Sequence, residues 1–193
     1  MKKIYIVLTH TGTALSRIIK TFTKDEFSHA SIALDSELKE MYSFGRLNPY
    51  NPFIGGFVHE GINCGTFKRF KFTKTKIYSL EIEDEQYYKI KDLIEYVKEV
   101  KEMRKFNVIG MIAVGLHKNI KFVDSFYCAE FVKYALETAG IKTNLPEMIK
   151  PEDFKSLENI KLVYEGILKD YNVEKIKPLE KLLNVRKREA TIV

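Results

Sequence analysis

Ser125-Phe126-Tyr127-Cys128-Ala129-Glu130-Phe131-Val132 reads as a loop entering a helix, with a cysteine in the first turn. Asp124 or Ser125 supplies the cap at the start, and Gly140 the stop at the end. From Cys128 the apolar residues recur at Phe131, Val132, Ala135, Leu136 and Ala139, the spacing of a helix with one buried face. Cys128 stands at the N-terminal end of that helix. Unpaired backbone N–H groups and the positive end of the helix dipole there stabilise a thiolate. Cysteines on helices also serve as simple core filling, so the position becomes chemical only with a base beside it.

Of the four histidines, His29 is the best placed to be that base. Phe27 to Asp35 reads as a strand in which Ala30, Ile32 and Leu34 alternate with His29, Ser31 and Ala33. His29 therefore sits near the start of a strand, opposite the main apolar set, and the small residues after it leave its ring room. A cysteine nucleophile needs such a base, first to hold the thiolate and then to protonate the leaving group.

Working outward, Ile4 to Thr9 reads as a short buried strand and Ala14 to Thr21 as a short helix. Glu40 to Phe44 is the strand after His29, reached by a polar hairpin. The residues from Asn48 to Gly56 include Pro49, Pro52, Gly55 and Gly56 and read as a loop. Phe57 to Gly61 is a short extended piece. Phe67 to Ile82 alternates as two strands with a break at Thr73 to Lys76. Asp84 opens a long amphipathic helix with Ile90, Leu93, Ile94, Val97 and Val100 on one face. Asn107 to Leu116 is a buried helix, too short to span a bilayer. Pro151 starts a further helix and Lys161 to Leu168 is a late strand. Residues 1–172 make one domain and 173–193 a basic C-terminal extension with a weak helical stripe.

The 193 residues, 45% hydrophobic and 30% charged, describe a globular chain. The net charge of +6 is spread along the whole sequence, which fits a solvated lysine-rich surface and not a nucleic-acid interface. Two cysteines are too few for a disulfide framework or a structural zinc site, and the histidines lack close ligand spacing, so neither a metal nor a cofactor is expected. There is no phosphate-binding glycine motif. The N-terminal apolar run is too short for a signal peptide, and no segment reaches transmembrane length. The expectation is a cytoplasmic protein whose thiols stay reduced.

Three stretches carry a family resemblance: Phe27-Ser28-His29-Ala30-Ser31-Ile32-Ala33-Leu34, Tyr42-Ser43-Phe44-Gly45-Arg46 and Phe126-Tyr127-Cys128-Ala129-Glu130-Phe131-Val132. Together with Gly56 to Gly61, Pro151 to Phe154 and Tyr164 to Gly166, their order resembles the permuted, papain-like branch of the NlpC cysteine-amidase superfamily. The resemblance implies an α+β fold, an antiparallel, partly barrel-like sheet with the cysteine helix packed on it. It implies cysteine hydrolase chemistry on an amide bond, with a cell-wall-type peptide as substrate. The alternatives are an acyltransferase or lipid esterase using the same pair, or a non-catalytic binding module.

By the resemblance, Cys128 matches the nucleophile and His29 the general base. The third member, which orients the histidine, falls on the following strand among Glu40, Tyr42 and Ser43. Ser43 or a direct neighbour matches best, where several relatives carry a Glu. The Cys128 N–H is the expected oxyanion donor, with Tyr127 or a hydroxyl of the Thr9–Thr13 turn, such as Thr11, assisting. Tyr42 and His10 are expected at the substrate rim. His59 and Glu60 read as an extended surface pair, His117 as a helix-end residue, and Cys64 as a bystander.

Overall fold

Ile4 to Thr9 has no polar face, so the strand it forms needs cover on both sides. The computed structural model describes residues 1–13, 25–99, 105–106, 125–174 and 176. In it this stretch lies within strand β1 (Lys2–His10). Ile4, Ile6 and Leu8 enter one core, and Tyr5 and Val7 enter a second core on the other face.

β1 runs antiparallel between β2 (His29–Ala33) and β5 (Lys74–Ile82). The sheet continues from β2 to β3 (Met41–Asn48) and β4 (Asn51–Glu60), and from β5 to β8 (Lys161–Ile167), all antiparallel. Beyond β4 lie two two-residue strands, β6 (Lys105–Phe106) and β7 (Ser125–Phe126), parallel to each other. The order in the eight-stranded sheet is β7-β6-β4-β3-β2-β1-β5-β8.

Among the described residues the helices that pack on the sheet include α1 (Gly65–Arg69), α2 (Asp84–Glu99) and α3 (Cys128–Thr138). The protein is thus α+β, an antiparallel sheet with a few helices packed on it. The first core joins Ala30, Ile32, Tyr42 and Phe44 of the sheet to Ile90 and Ile94 of α2 and to Phe131, Val132, Ala135 and Leu136 of α3. At its centre Phe131 meets Phe44 and Phe57 at ring-centroid distances of 5.3 Å each. The second core places Phe67 of α1 with Tyr5, Val7, Ala33, Met41 and Ile77. Among the described residues no helix is long and apolar enough to cross a membrane.

The start of α3 falls where the helical spacing predicts, but its cap differs. The N-cap residue is Tyr127, and its N–H donates to Glu130 Oε2 at 3.4 Å, because Ser125 and Phe126 are drawn into β7. At the far end Gly140 takes φ +83 and the Ile141 N–H closes back on the Leu136 carbonyl at 3.0 Å. That is the left-handed helix stop glycine favours.

Two expectations are corrected. The predicted loop from Asn48 to Gly56 is a tight turn at Pro49-Tyr50 followed by β4, with Gly55 and Gly56 paired to Arg46 and Gly45. Those glycines mark close approach inside a strand pair, not a loop: a Cβ at Gly56 would lie 3.2 Å from Leu47 Cδ1. The predicted strand after Phe67 is the short helix α1. Gly65 takes φ +46, Lys68 N–H bonds the Cys64 carbonyl, and Phe67 alone is buried, so no alternating face exists there. The short 3₁₀ helix Pro151–Ser156 begins at the proline, as read from the sequence. The expected helices at 14–21 and 107–116, His117, and nearly all of the 173–193 extension lie outside the described residues.

Candidate functional site

Alternation along β2 decides what His29 faces. Ala30 and Ile32 turn into the core beneath α3, so His29 and Ser31 turn to the opposite face. On β3 the matching face carries Ser43 and Gly45. The pairing of Ile32 with Tyr42 and of Met41 with Glu60 then brings β4 to the same patch through Glu60. Glu60 sits one strand beyond β3, and its carboxylate reaches back across β3 to His29.

His29 Nε2 donates to Glu60 Oε1 at 3.0 Å and lies 3.3 Å from Oε2. Ser31 Oγ donates to Oε2 at 2.5 Å. Ser43 Oγ lies 3.2 Å from His29 Nε2. The space for this reach is the missing side chain of Gly45. A Cβ there would stand 3.3 Å from Ser43 Oγ, 3.4 Å from Glu60 Oε1 and 3.4 Å from His29 Cε1. The His29 ring also lies 6.5 Å from the Phe67 ring.

Cys128 lies close enough to His29 for its charge to bear on the imidazole. Burial works against a charged imidazole, but the Glu60 carboxylate and then Cys128 outweigh it. The His29 pKa is pushed up from 6.5 to about 10. For Glu60, burial favours the neutral acid, yet the His29 charge and the hydrogen bonds from His29, Ser31 and Ser43 hold it below the ordinary carboxylate value. The resulting arrangement is a carboxylate–imidazolium pair with Cys128 nearby. Cys128 itself is 2% exposed, while the His29 side chain is 20% exposed.

Cys128 and His29 lie near each other although they are far apart in the chain, because α3 packs on β2. Ser43 does touch the His29 ring, but the carboxylate that orients the ring is Glu60, which was read as half of a surface pair. That reading holds for His59 alone. His59 is exposed and stacks on Tyr42 at 4.8 Å, and its Nε2–H donates to the Lys39 carbonyl at 2.6 Å. A signal was present in Phe57-Val58-His59-Glu60: in a strand, His59 and Glu60 must face opposite sides. Without the pairing partner, which of them faced the histidine was undetermined.

Tyr42, expected at the substrate rim, lies on the other face. It is 1% exposed, stacked on Phe57 at 5.9 Å, with its hydroxyl on Glu40. Tyr127 is buried and its hydroxyl engages the Ile149 backbone; burial and then Glu130 raise its pKa, which keeps it neutral. His10 Nδ1 lies 3.4 Å from Ser28 Oγ, next to His29 in sequence. Thr11 Oγ1 lies 3.3 Å from Thr13 Oγ1 in the segment leaving β1. The hydroxyl of that turn nearest His29 in register is Thr9, which is fully buried, and its Oγ1 has no hydrogen-bond partner among the described residues. Cys64 is exposed and Cys128 buried, both as free thiols.

Comparison of the sequence with protein-family models and with curated proteins finds no match.

Proposed function

We propose that this protein is a cysteine hydrolase of the permuted papain-like, NlpC-type kind, cleaving an amide bond through Cys128, His29 and Glu60. The observation that carries the reading is the Glu60–His29 ion pair at 3.0 Å, with Cys128 near enough to act on the same imidazole. A carboxylate, an imidazole and a thiol in series are what activation of a sulfur nucleophile requires.

In this scheme the Cys128 proton resides on His29, and the thiolate attacks the carbonyl carbon as the carbonyl electron pair moves onto oxygen. Backbone N–H groups at the start of α3 are the donors expected to stabilise that oxyanion. The imidazolium of His29 gives its proton to the leaving amine as the C–N bond breaks, leaving a thioester. Neutral His29 then takes a proton from water, the hydroxide displaces the sulfur, and the acid leaves. Glu60 holds the ring in one orientation and stabilises its charged form throughout. A cell-wall-type peptide is the substrate suggested by the family resemblance.

One observation favours a second reading, acyl transfer or lipid ester hydrolysis by the same residues. The tip of the β3–β4 hairpin exposes Leu47, Tyr50 and Ile54, at 55%, 77% and 50%. Apolar residues clustered at an exposed turn suit a lipid surface. Mass spectrometry of the protein incubated with peptide and lipid acyl donors separates the two by the mass trapped on Cys128. Cys128→Ala and His29→Ala are expected to abolish turnover with the fold retained. Full activity of Cys128→Ala on a genuine substrate would end the thiol mechanism.

A further inference from the structure

The outer end of the β3–β4 hairpin turns apolar side chains to solvent. Leu47 lies over Gly56, where a Cβ would meet its Cδ1 at 3.2 Å. Ile54, two residues before Gly56 on β4, is on the same face. Both are exposed, and Tyr50 at the turn is more exposed still. α1 stands against this end of the hairpin. Its last residue, Arg69, donates from Nη1 to the Pro49 carbonyl at 2.7 Å. The Arg69 guanidinium also lies 4.1 Å from the Tyr50 ring centroid and 5.1 Å from that of Phe70. Those contacts hold the apolar tip and the basic end of α1 together as one surface. Just beyond, Phe72 is 79% exposed, with Lys169 Nζ 5.1 Å over its ring.

The charge on this surface has one sign. Lys68, Arg69 and Lys71 are exposed, and none of them meets a carboxylate among the described residues. Between Met41 and Leu80 the sequence carries a single acid, Glu60, and its oxygens are taken by His29 and Ser31. Lys74 and Lys76 on β5, by contrast, are paired with Glu26, and Lys76 also with Glu165. Unpaired cations beside exposed aliphatic side chains match a surface that is anionic on top and apolar beneath, which describes an anionic bilayer. A single-stranded nucleic acid needs aromatic faces on which its bases stack. Leu47 and Ile54 offer none, and Arg69 covers one face of Tyr50. A second copy of this chain, docked by the same patch, would set the three cations against themselves.

We propose that the β3–β4 tip and the C-terminal end of α1 form a docking surface for an anionic lipid bilayer. Leu47, Tyr50 and Ile54 enter the boundary between headgroups and acyl chains, and Lys68, Arg69 and Lys71 meet the headgroup phosphates. A cavity of about 100 Å³ adjoins this surface. It is lined by Leu47 and Pro49 of the hairpin and by Glu60 and Phe67, which flank the His29 ring. Docking therefore turns the Glu60–His29 pair toward the bilayer. It rests on neither Cys128 nor His29, so it stands or falls apart from the hydrolase reading.

Co-sedimentation of the full chain with vesicles tests it. Binding is expected to phosphatidylcholine vesicles that contain phosphatidylglycerol, weakening as salt is raised, and not to phosphatidylcholine alone. Lys68→Gln and Lys71→Gln should each weaken it about fivefold, the worth of one cation at an anionic surface. Leu47→Ser combined with Ile54→Ser should weaken it about tenfold or more. All four side chains are exposed, so the fold is retained, which circular dichroism checks. The chain has no tryptophan, so Tyr50→Trp serves as a reporter. Its emission should shift to the blue on vesicle binding, while that of Tyr88→Trp, exposed on α2, should not. Cys128→Ala should bind as the wild type does.

No binding to the mixed vesicles, unchanged binding in the folded double Ser or double Gln variant, or an equal shift in both Trp variants overturns the proposal. So does retention on a single-stranded oligonucleotide without vesicle binding, or a dimer that the double Ser variant dissolves, because each gives the patch to another occupant. Loss of vesicle binding in folded Cys128→Ala would tie the lipid to the thiol and overturn it as well. Vesicle binding in a wild type that turns over neither peptide nor lipid would instead sink the hydrolase reading alone.

Discussion

Replacing Glu60 by Gln removes a charge while leaving an amide oxygen able to accept the His29 Nε2–H. The pKa of His29 stands at about 10 against 6.5 for a free imidazole. At about 1.4 kcal/mol per pH unit, that is roughly 5 kcal/mol of preference for the charged ring. The preference is what remains after burial has opposed it, and Glu60 contributes more than Cys128. Losing the carboxylate should therefore remove about 2–3 kcal/mol, lowering the His29 midpoint by about two pH units. NMR titration of the His29 ring protons reads this directly and needs no substrate. The same loss should lower kcat/KM about a hundredfold, since about 1.4 kcal/mol is a factor of ten.

Stability should follow the same charge. His29 has a folded pKa above its unfolded one, so its contribution is fully present below pH 6.5 and disappears as the pH rises through about 10. Between those values the folded state holds the extra proton; because Glu60→Gln lowers the folded midpoint by about two units, wild-type stability should fall relative to the variant, by up to about 1.4 kcal/mol per pH unit, from about pH 8 to about 10. Urea unfolding of both proteins across that window measures the difference. A wild-type His29 midpoint near 6.5, or one that Glu60→Gln leaves in place, would refute the ion pair.

Ser43→Ala should cost about 1 kcal/mol in kcat/KM, the worth of one neutral hydrogen bond. A loss equal to that of Glu60→Gln would return the orienting role to the serine. Gly45→Ala places a methyl against three atoms of the site at 3.3–3.4 Å. Displacing the pair by a few tenths of an ångström should lower turnover about tenfold with nearly unchanged melting, and wild-type turnover would show that the space over Gly45 is not needed. Phe131→Ala, at the centre of the aromatic cluster and fully buried, should destabilise by about 3–5 kcal/mol in urea unfolding. A value below about 1 kcal/mol would mean that α3 is not held by this core.

Local physics made much of this protein legible. The helical spacing of Phe131, Val132, Ala135 and Leu136 and the stop at Gly140 depend only on neighbours within a few residues, and α3 stands where they put it. Period-two alternation in β2 likewise placed His29 on the face away from Ala30 and Ile32. The errors came where one residue type carries two local meanings. Gly55 and Gly56 looked like loop residues, yet serve close packing between β3 and β4, and Phe67 and Phe70 looked like strand residues although Gly65 had already turned the chain into a helix.

Chain order alone therefore determined most of the main strands and helices and the placing of Cys128 at a helix start and His29 on a strand face, because helix stops and periodicity act over a few bonds. Only the tertiary structure decided that Glu60, and not Ser43, holds the histidine. Strand register is set by pairing between distant segments, and a slip of one residue in β4 would turn Glu60 to the far face and bring His59 in its place.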